Sequence, residues 1–126
     1  MRMQKEGILS GKIIGCAMEV HRQLGPGLLE SIYEECLCYE LSVAKLRFDR
    51  QKQIVIDYKG TKLANNLKLD LLVNKEVIVE LKATQKLEPI HEAQLLTYLK
   101  LANKKYGLLI NFNVPLLKNG IKRIAN

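Results

Sequence analysis

DLLVNKEVIVELKA, residues 70–83, is an apolar, β-branched stretch interrupted by charged side chains. Three of them, Asp70, Glu80 and Lys82, stand within the apolar runs rather than in the polar segment between them. Burying a carboxylate or an ammonium costs several kcal/mol unless the group is paired or bound to a metal ion. The stretch therefore predicts a β-hairpin of the core. It also predicts that this hairpin carries a site in which the three charged groups are paired or bound to a metal ion.

The loop between the two strands decides whether the two acids meet. Side chains alternate across a strand, so a two-residue turn at residues 74–75 would put Asp70 and Glu80 on opposite faces of the sheet. A three-residue turn at residues 74–76 pairs Asp70 with Glu80 and gives one continuous apolar face. The residues expected on that face are Leu67, Leu69, Leu71, Val73, Val77, Val79 and Leu81. We expect the three-residue turn or an equivalent bulge.

Two neighbouring carboxylates repel each other, and one of them tends to hold a proton. A divalent cation removes the conflict, and hard oxygen ligands favour Mg²⁺ or Mn²⁺ with water in the remaining positions. Lys82, one pleat from Glu80, would then orient a water molecule or stabilise developing negative charge. The simpler interpretation is an exposed sheet face with a cross-strand Lys–Glu pair, and the hairpin taken alone favours it.

Length and composition indicate one domain spanning residues 1–126. Apolar residues make up 48% and charged residues 26%, which is typical of a soluble globular protein. No apolar run approaches a membrane span, and Lys12 interrupts the N-terminal stretch before a signal-peptide core forms. The three cysteines lack C-x-x-C spacing, which argues against a zinc site, an iron–sulfur cluster or a disulfide framework. We therefore expect a cytoplasmic protein without a membrane partner.

Hydrophobic periodicity and turn residues predict the order helix, helix, three strands, helix, strand, strand. The predicted elements are helices over about residues 7–24 and 28–44, strands over 48–58 and 61–73, the second hairpin strand, a helix over about 88–103, and strands over 106–112 and 120–125. The expected apolar stripe of the second helix is Leu29, Ile32, Cys36, Leu37 and Leu41. Together these elements predict an α/β fold with a mixed sheet flanked by helices.

Four sequence elements, in order, resemble the GxxExxY family of small bacterial and archaeal proteins within the PD-(D/E)xK nuclease superfamily. They are Gly27-x-x-Glu30-x-x-Tyr33, Asp70, Glu80-Leu81-Lys82 and Gln94-x-x-x-Tyr98. The likeness covers nearly the whole chain and includes GLLINF at residues 107–112. It implies the αβββαβ core of that superfamily, here with an extra N-terminal helix and a C-terminal strand, and a metal-dependent site that cleaves phosphodiesters.

The resemblance also implies a role for each residue of the hairpin. Asp70 and Glu80 would bind the metal ion together with the backbone carbonyl of Leu81. Lys82 would be the catalytic lysine.

Three further residues complete the site that the resemblance implies. Glu30 would join the acidic cluster, directly or through water, and Gln94 and Tyr98 would line the site from the following helix. The spacing of Gln94 and Tyr98 independently puts them on one helix face, although an ordinary amphipathic edge has the same pattern. Glu30 also has a simpler explanation, because the helix dipole favours an acid in the first turn.

The two histidines have structural explanations. His21 lies near the end of the first helix, where a cation meets the helix dipole favourably, and His91 lies in the first turn after Pro89. We do not expect either of them to be a metal ligand.

The formal net charge of +7 suits a polyanionic partner. Lys68, Lys100 and Lys104 are the expected nucleic-acid contacts, and Lys68 stands where members of the resembled family more often carry arginine. Basic residues that flank an acidic pocket would hold a nucleic-acid backbone while the metal acts on one phosphate.

The leading hypothesis is a Mg²⁺- or Mn²⁺-dependent nuclease with DNA favoured over RNA, serving DNA repair, recombination or defence. One alternative is a non-catalytic nucleic-acid-binding or assembly module on a nuclease fold. Another is a subunit that is active only with a partner protein. A homodimer or a partner protein would suit the small size, but the sequence does not show an interface.

Overall fold

The computed structural model describes residues 2–126, with side chains described from Gly7 onward. Part of the N-terminal stretch considered above for a signal peptide therefore lies outside the described residues. The elements are α1 (Arg2–Leu24), α2 (Glu30–Val43), β1 (Phe48–Tyr58), β2 (Thr61–Val73), β3 (Val77–Lys82), α3 (Pro89–Leu101), β4 (Tyr106–Asn111), a short 3₁₀ helix (Leu117–Gly120) and β5 (Ile121–Ala125). None of the helices in this part of the chain is long and apolar enough to cross a membrane.

The five strands form one mixed sheet in the order β1-β2-β3-β4-β5. β3 and β4 are parallel, and every other neighbouring pair is antiparallel. A parallel pair needs a long crossover connection, and α3 supplies it between β3 and β4. The predicted order of elements and the α/β fold class are confirmed.

Helices cover both faces of the sheet. α1 and α2 pack on one face, and α3 packs on the other. The apolar stripe of α2 differs from the expected one, because Leu29 is 71% exposed and Ile32 is 39% exposed. The hydrophobic residues of α2 that are buried are Tyr33, Leu37, Cys38 and Leu41. Leu37 and Leu41 are buried as expected, and Cys36 is partly buried against the same core. The prediction was wrong for Leu29 and Ile32, because α1 covers the side of α2 that carries Tyr33 instead.

The β2–β3 register is the one that the apolar pattern predicts. Val73 pairs with Val77, and Leu71 pairs with Val79, so the loop between the strands has three residues, 74–76. The loop bends through two positive φ angles, 51° at Asn74 and 57° at Lys75. The odd loop length keeps Leu71 and Val73 of β2 on the same face as Val77 and Val79 of β3, the face covered by α1 and α2.

The predicted apolar face is interrupted at Asp70. Leu71 and Val73 pack with α1 and α2 as expected, but Leu67 and Leu69 pack with the residues of α3 on the other face. The expectation for Leu67 and Leu69 was therefore wrong. The pairing of β1 with β2 also skips Asp70, and regular alternation is lost at that point because the backbone there departs from the ladder.

Candidate active site

Asp70 and Glu80 meet where the β2–β3 ladder ends. The Asp70 N–H donates to Oε2 of Glu80 at 2.7 Å, and the Leu81 N–H donates to Oδ2 of Asp70 at 2.8 Å. Each carboxylate thus accepts a backbone donor that a continued ladder would have paired with a carbonyl. The side chains stand between the two strands, and this brings the two acids side by side.

Burial and mutual repulsion make this pair of acids hard to ionise. Glu80 is only 5% exposed. Its burial, with repulsion from Asp70, raises its pKa from 4.5 to about 8. Burial also raises the pKa of Asp70, while the bond from the Leu81 N–H opposes that rise. At neutral pH the metal-free pair therefore retains a proton, as expected for two adjacent carboxyl groups in a desolvated site.

Glu30, Lys82 and Tyr98 lie within electrostatic reach of the two acids. Glu30 is solvent-exposed, yet partial desolvation and then the Asp70 charge raise its pKa. Partial burial and then the Glu80 and Asp70 charges raise the pKa of the Tyr98 hydroxyl. The partly exposed Lys82 ammonium opposes the rise in pKa at Asp70, Glu80 and Glu30. Three acids, one lysine and one tyrosine thus share one region of the molecule.

The turn between α1 and α2 positions Glu30 at the first residue of α2. Gly25 ends α1 with a φ of 71°, and its N–H donates to the His21 carbonyl at 2.7 Å. The Tyr33 hydroxyl donates to the Gly25 carbonyl at 2.6 Å and accepts the Leu28 N–H at 3.1 Å. The Tyr33 ring is buried against Phe112, with ring centroids 4.5 Å apart. A buried tyrosine therefore holds the loop that leads into Glu30.

The backbone around Lys82 is held by the neighbouring strand. The Phe112 N–H donates to the Lys82 carbonyl at 3.0 Å. Asn111, which is 1% exposed, exchanges two hydrogen bonds with the backbone of Thr84, at 3.1 and 3.0 Å. These contacts restrain the chain on the C-terminal side of Lys82, so that the lysine projects from a rigid support.

The other predicted site residues are less closely associated with the acids. Gln94 lies one helical turn before Tyr98 and is exposed, and in the described part of the chain it forms no hydrogen bond with Asp70 or Glu80. Lys68 is exposed on β2, two residues before Asp70. Lys100 is exposed near the end of α3.

Lys104 lies away from the two acids. It lines a surface cavity together with Lys75 and Glu76, which belong to the β2–β3 turn. The turn and the acid pair stand at opposite ends of the hairpin, and the structure therefore does not bring Lys104 to the site.

Both histidines have structural partners away from the acids. Nε2 of His21 lies 2.7 Å from the Val114 carbonyl oxygen. Nδ1 of His91 accepts the Glu88 N–H at 2.9 Å, which caps the start of α3. Each histidine thus has a structural contact, and for His21 it is a different one from the helix-dipole interaction that the sequence suggested.

A hydrogen-bonded group centred on Glu34 lies beside Asp70. The sequence did not single out its three residues for the site. Glu34 is 7% exposed and accepts a hydrogen bond from Nε of Arg50 at 2.7 Å and one from Nε2 of Gln51 at 2.8 Å. The same Nε2 lies 3.5 Å from Oδ1 of Asp70. Only Glu34 had a signal in the sequence, because it follows Glu30 by four residues and so shares its helix face. Nothing in the local pattern marks Gln51.

The acids satisfy part of what a divalent ion requires. Within the described residues, no three Asp, Glu, His or Cys side chains form a ready-made metal-binding cluster. Mg²⁺, however, is usually held by one or two carboxylates, with water and substrate oxygens completing its shell. Asp70 and Glu80 match that requirement in number and in oxygen chemistry, and the charge of an ion would offset the burial and the repulsion that raise their pKa values.

Comparison with known proteins identifies a family for the chain. No curated protein and no solved structure gives a significant match to the chain. A family model described as the PD-(D/E)XK nuclease superfamily matches residues 8–124. The match includes all five strands of the mixed sheet and every acid discussed above. The chain therefore belongs to the PD-(D/E)XK nuclease superfamily.

Proposed function

We propose that this protein is a metal-dependent phosphodiester hydrolase that cleaves nucleic acid, with DNA as its substrate. The observation that carries the proposal is the Asp70–Glu80 pair, two desolvated carboxyl groups held side by side between splayed strands. A folded protein gains no stability from forcing two acids together in this way. Superfamily membership supports hydrolysis of a phosphodiester as the purpose of the pair.

The proposed ligands are carboxylate oxygens of Asp70 and Glu80 and the backbone carbonyl of Leu81. The Leu81 N–H points toward Asp70, and in a strand the N–H and C=O of one residue point to the same neighbour. The Leu81 carbonyl is therefore directed to the same side as the acids. The Glu30 carboxylate lies within electrostatic reach of Asp70. It would join the metal ligands directly or through a water molecule. A bound Mg²⁺ or Mn²⁺ would polarise the phosphate and lower the pKa of a water molecule.

Lys82 and Tyr98 have distinct proposed roles around the acids. The Lys82 ammonium orients the attacking water and stabilises negative charge as it develops on the phosphate, because it is the cation that acts on all three acids. The Tyr98 hydroxyl is a neutral donor beside the carboxylates and suits a hydrogen bond to a phosphate oxygen. Gln94, one turn earlier on the same helix, is proposed to contact the substrate from the solvent side.

The β1–β2 hairpin supports a polyanionic substrate. Residues 52–68 form the outer part of this hairpin, are mostly exposed, and carry four lysines against one aspartate. This segment starts beside Asp70, and Lys68 belongs to it. Lysines that neutralise phosphates add affinity without sequence preference. We propose that residues 52–68 and Lys100 hold the nucleic-acid backbone near the acids.

We also infer that the chain is a GxxExxY protein and that residues 1–126 act as one nuclease-like domain. The role of Tyr33 supports the first inference, because its hydroxyl closes the glycine turn that leads into Glu30. The spacing of the glycine, the acid and the tyrosine in that family pattern then has a physical purpose.

The test is hydrolysis of labelled single-stranded and duplex DNA, and of RNA, with Mn²⁺ or Mg²⁺ and with EDTA. We expect metal-dependent cleavage by the wild type. Asp70→Asn, Glu80→Gln and Lys82→Met should each lower the rate at least about 100-fold, the size of effect seen when one group that stabilises a transition state is removed. Glu76→Gln and Lys75→Met, at the other end of the same hairpin, serve as matched controls and should retain wild-type activity.

The outcomes separate the proposal from its alternatives. Cleavage that persists in all three site variants would exclude the proposed catalytic group. Saturable DNA binding by the wild type, without metal-dependent cleavage of any substrate, would instead favour a non-catalytic binding module or a subunit that is active only with a partner protein. Co-purification of a partner protein would distinguish these two.

A further inference from the structure

Gln51 has an unusual backbone conformation for a residue within a strand. Its φ is 52°, in the left-handed region that side-chain-bearing residues rarely occupy. The other non-glycine residues with positive φ in the described part of the chain all lie in turns: Lys45, Lys59, Asn74, Lys75 and Asn103. Strain inside a strand persists only where surrounding contacts impose it, and such strain is concentrated at functional sites.

The contact that holds Gln51 comes from α2. The side-chain amide donates to Oε1 of Glu34 at 2.8 Å, and Nε of Arg50 donates to Oε2 of the same carboxylate at 2.7 Å. Both oxygens of Glu34, a residue only 7% exposed, are therefore engaged. The Gln51 amide is anchored to a buried, charge-assisted acceptor, and its position is well defined.

The same amide faces Asp70. A primary amide has two N–H groups, so Nε2 of Gln51 can donate to a second acceptor as well as to Glu34. Oδ1 of Asp70 lies 3.5 Å from it, while Oδ2 of Asp70 accepts the Leu81 N–H. The two oxygens of Asp70 are thus approached from different strands, Oδ2 from β3 and Oδ1 from β1. Hydrogen bonds of this kind are often long in a free site and shorten in the complex.

We propose that Gln51, anchored by Glu34, is a positioning residue that fixes the orientation of the Asp70 carboxylate for a divalent ion. The inference rests on the proposed function, and it adds β1 and the centre of α2 to the elements that build the site. Partners that orient a metal ligand typically change metal affinity by about 10-fold to 100-fold when they are removed. This role accounts for the strained φ angle of Gln51. A residue with regular strand geometry would direct its side chain to one face of the sheet, away from the space between Glu34 and Asp70.

The experiment uses Gln51→Asn and Gln51→Met in the full chain. Asparagine adopts the left-handed region more readily than glutamine, but its side chain is one methylene shorter and does not span both acids. Methionine keeps the length and removes the donor. The matched control is Gln53→Asn, on the exposed part of the same strand, where the side-chain oxygen accepts a hydrogen bond from Nδ2 of Asn66 at 3.4 Å. Mn²⁺ affinity is measured by isothermal titration calorimetry, and the free energy of unfolding by urea titration in EDTA.

We expect Gln51→Asn and Gln51→Met to weaken Mn²⁺ binding about 10-fold to 100-fold. Gln51→Asn should lower the free energy of unfolding in EDTA by about 1 kcal/mol, the size of one lost hydrogen bond to Glu34, and Gln53→Asn should change neither quantity. A purely structural role for Gln51 would give the same loss in stability and leave the Mn²⁺ affinity at its wild-type value.

Wild-type affinity in a folded Gln51 variant would overturn the inference and leave the proposed metal centre intact. No Mn²⁺ binding by the wild type would overturn both. If one of the two Gln51 variants does not fold, the other decides the question.

Discussion

The two ends of the β2–β3 hairpin share their strands but are built differently. At the turn end, Val73 pairs with Val77 and Leu71 with Val79 through an ordinary backbone ladder over apolar side chains. At the other end, carboxylates of Asp70 and Glu80 accept the backbone N–H groups in place of carbonyls. One end is stabilised by burial of apolar surface, whereas the other keeps two acids together against their repulsion.

The difference indicates how a small sheet can hold a reactive site without losing its fold. The regular end fixes the register, and the register brings Asp70 opposite Glu80. The strands need not be paired regularly beyond that point, because Leu81 and Asp70 still obtain acceptors for their N–H groups from the acids. Stability and chemistry are thus separated by a few residues along one hairpin.

The largest effect expected on the free energy of unfolding is at Leu71, which is fully buried at the regular end. Leu71→Ala should lower this free energy by about 2 to 5 kcal/mol, because the truncation leaves a cavity in the core. The residue next to it in the chain is Asp70. Asp70→Asn keeps an acceptor for the Leu81 N–H and removes a repelling charge, so it should lower the free energy of unfolding by about 1 kcal/mol or less. Urea unfolding in EDTA measures both. Equal losses would remove the distinction between the two ends.

The second effect is a pH dependence confined to the acid end. The pKa of Glu80 is raised from 4.5 to about 8 in the folded state. Between these values Glu80 ionises in the unfolded chain and keeps its proton in the folded chain, so the contribution of Glu80 to stability is largest below about pH 4.5 and falls as the pH rises to about 8. From about pH 6 to about pH 8 the fall should be about 2 to 3 kcal/mol, at about 1.4 kcal/mol per pH unit.

Urea titrations at several pH values in EDTA measure this dependence. Glu80→Gln should flatten it, because glutamine does not titrate, whereas Glu76→Gln in the turn should leave it in place. Wild-type stability that rises over the same pH range would contradict the raised pKa of Glu80.

The smallest effect is in the turn itself. Oδ1 of Asn74 accepts the Arg47 N–H at 3.1 Å, and Asn74 has a φ of 51°. Asn74→Gly keeps the backbone conformation and loses this hydrogen bond, which should cost about 1 kcal/mol. Lys75→Gly, at a φ of 57° and with no side-chain hydrogen bond to any of the described residues, should be neutral or slightly stabilising. Thermal unfolding compares the two, and nuclease activity should be unchanged in both. A loss of activity would show that the turn end takes part in the chemistry.

Much of the fold followed from local patterns. The predicted strands over residues 48–58 and 61–73 have the bounds of β1 and β2, and the three-residue turn was inferred from apolar alternation alone. These features are predictable because each depends on residues close together in the chain. The stripe of α2 was correct at Leu37 and Leu41 and wrong at Leu29 and Ile32, because the side that becomes buried depends on where α1 packs, and the periodicity of α2 does not contain that information.

The candidate site was only partly visible in the sequence. Asp70, Glu80 and Lys82 stood out because charges in an apolar strand need an explanation. The residues beside them, Glu34 and Gln51, are 17 positions apart in the chain and meet only because α2 crosses the start of β1. A contact between distant segments leaves no periodic signature, and Gln51 would pass for an ordinary polar residue of an exposed strand.

The sequence by itself determined the order of the elements, the register of the hairpin and the meeting of Asp70 with Glu80, because alternation and turn length are local properties. The tertiary structure alone decided that Leu69 changes face, that Gln51 takes a left-handed conformation, and that Lys104 lies away from the acids. The physical reason is that these features depend on how separate elements pack, and the free energy of that packing is shared among residues far apart in the chain.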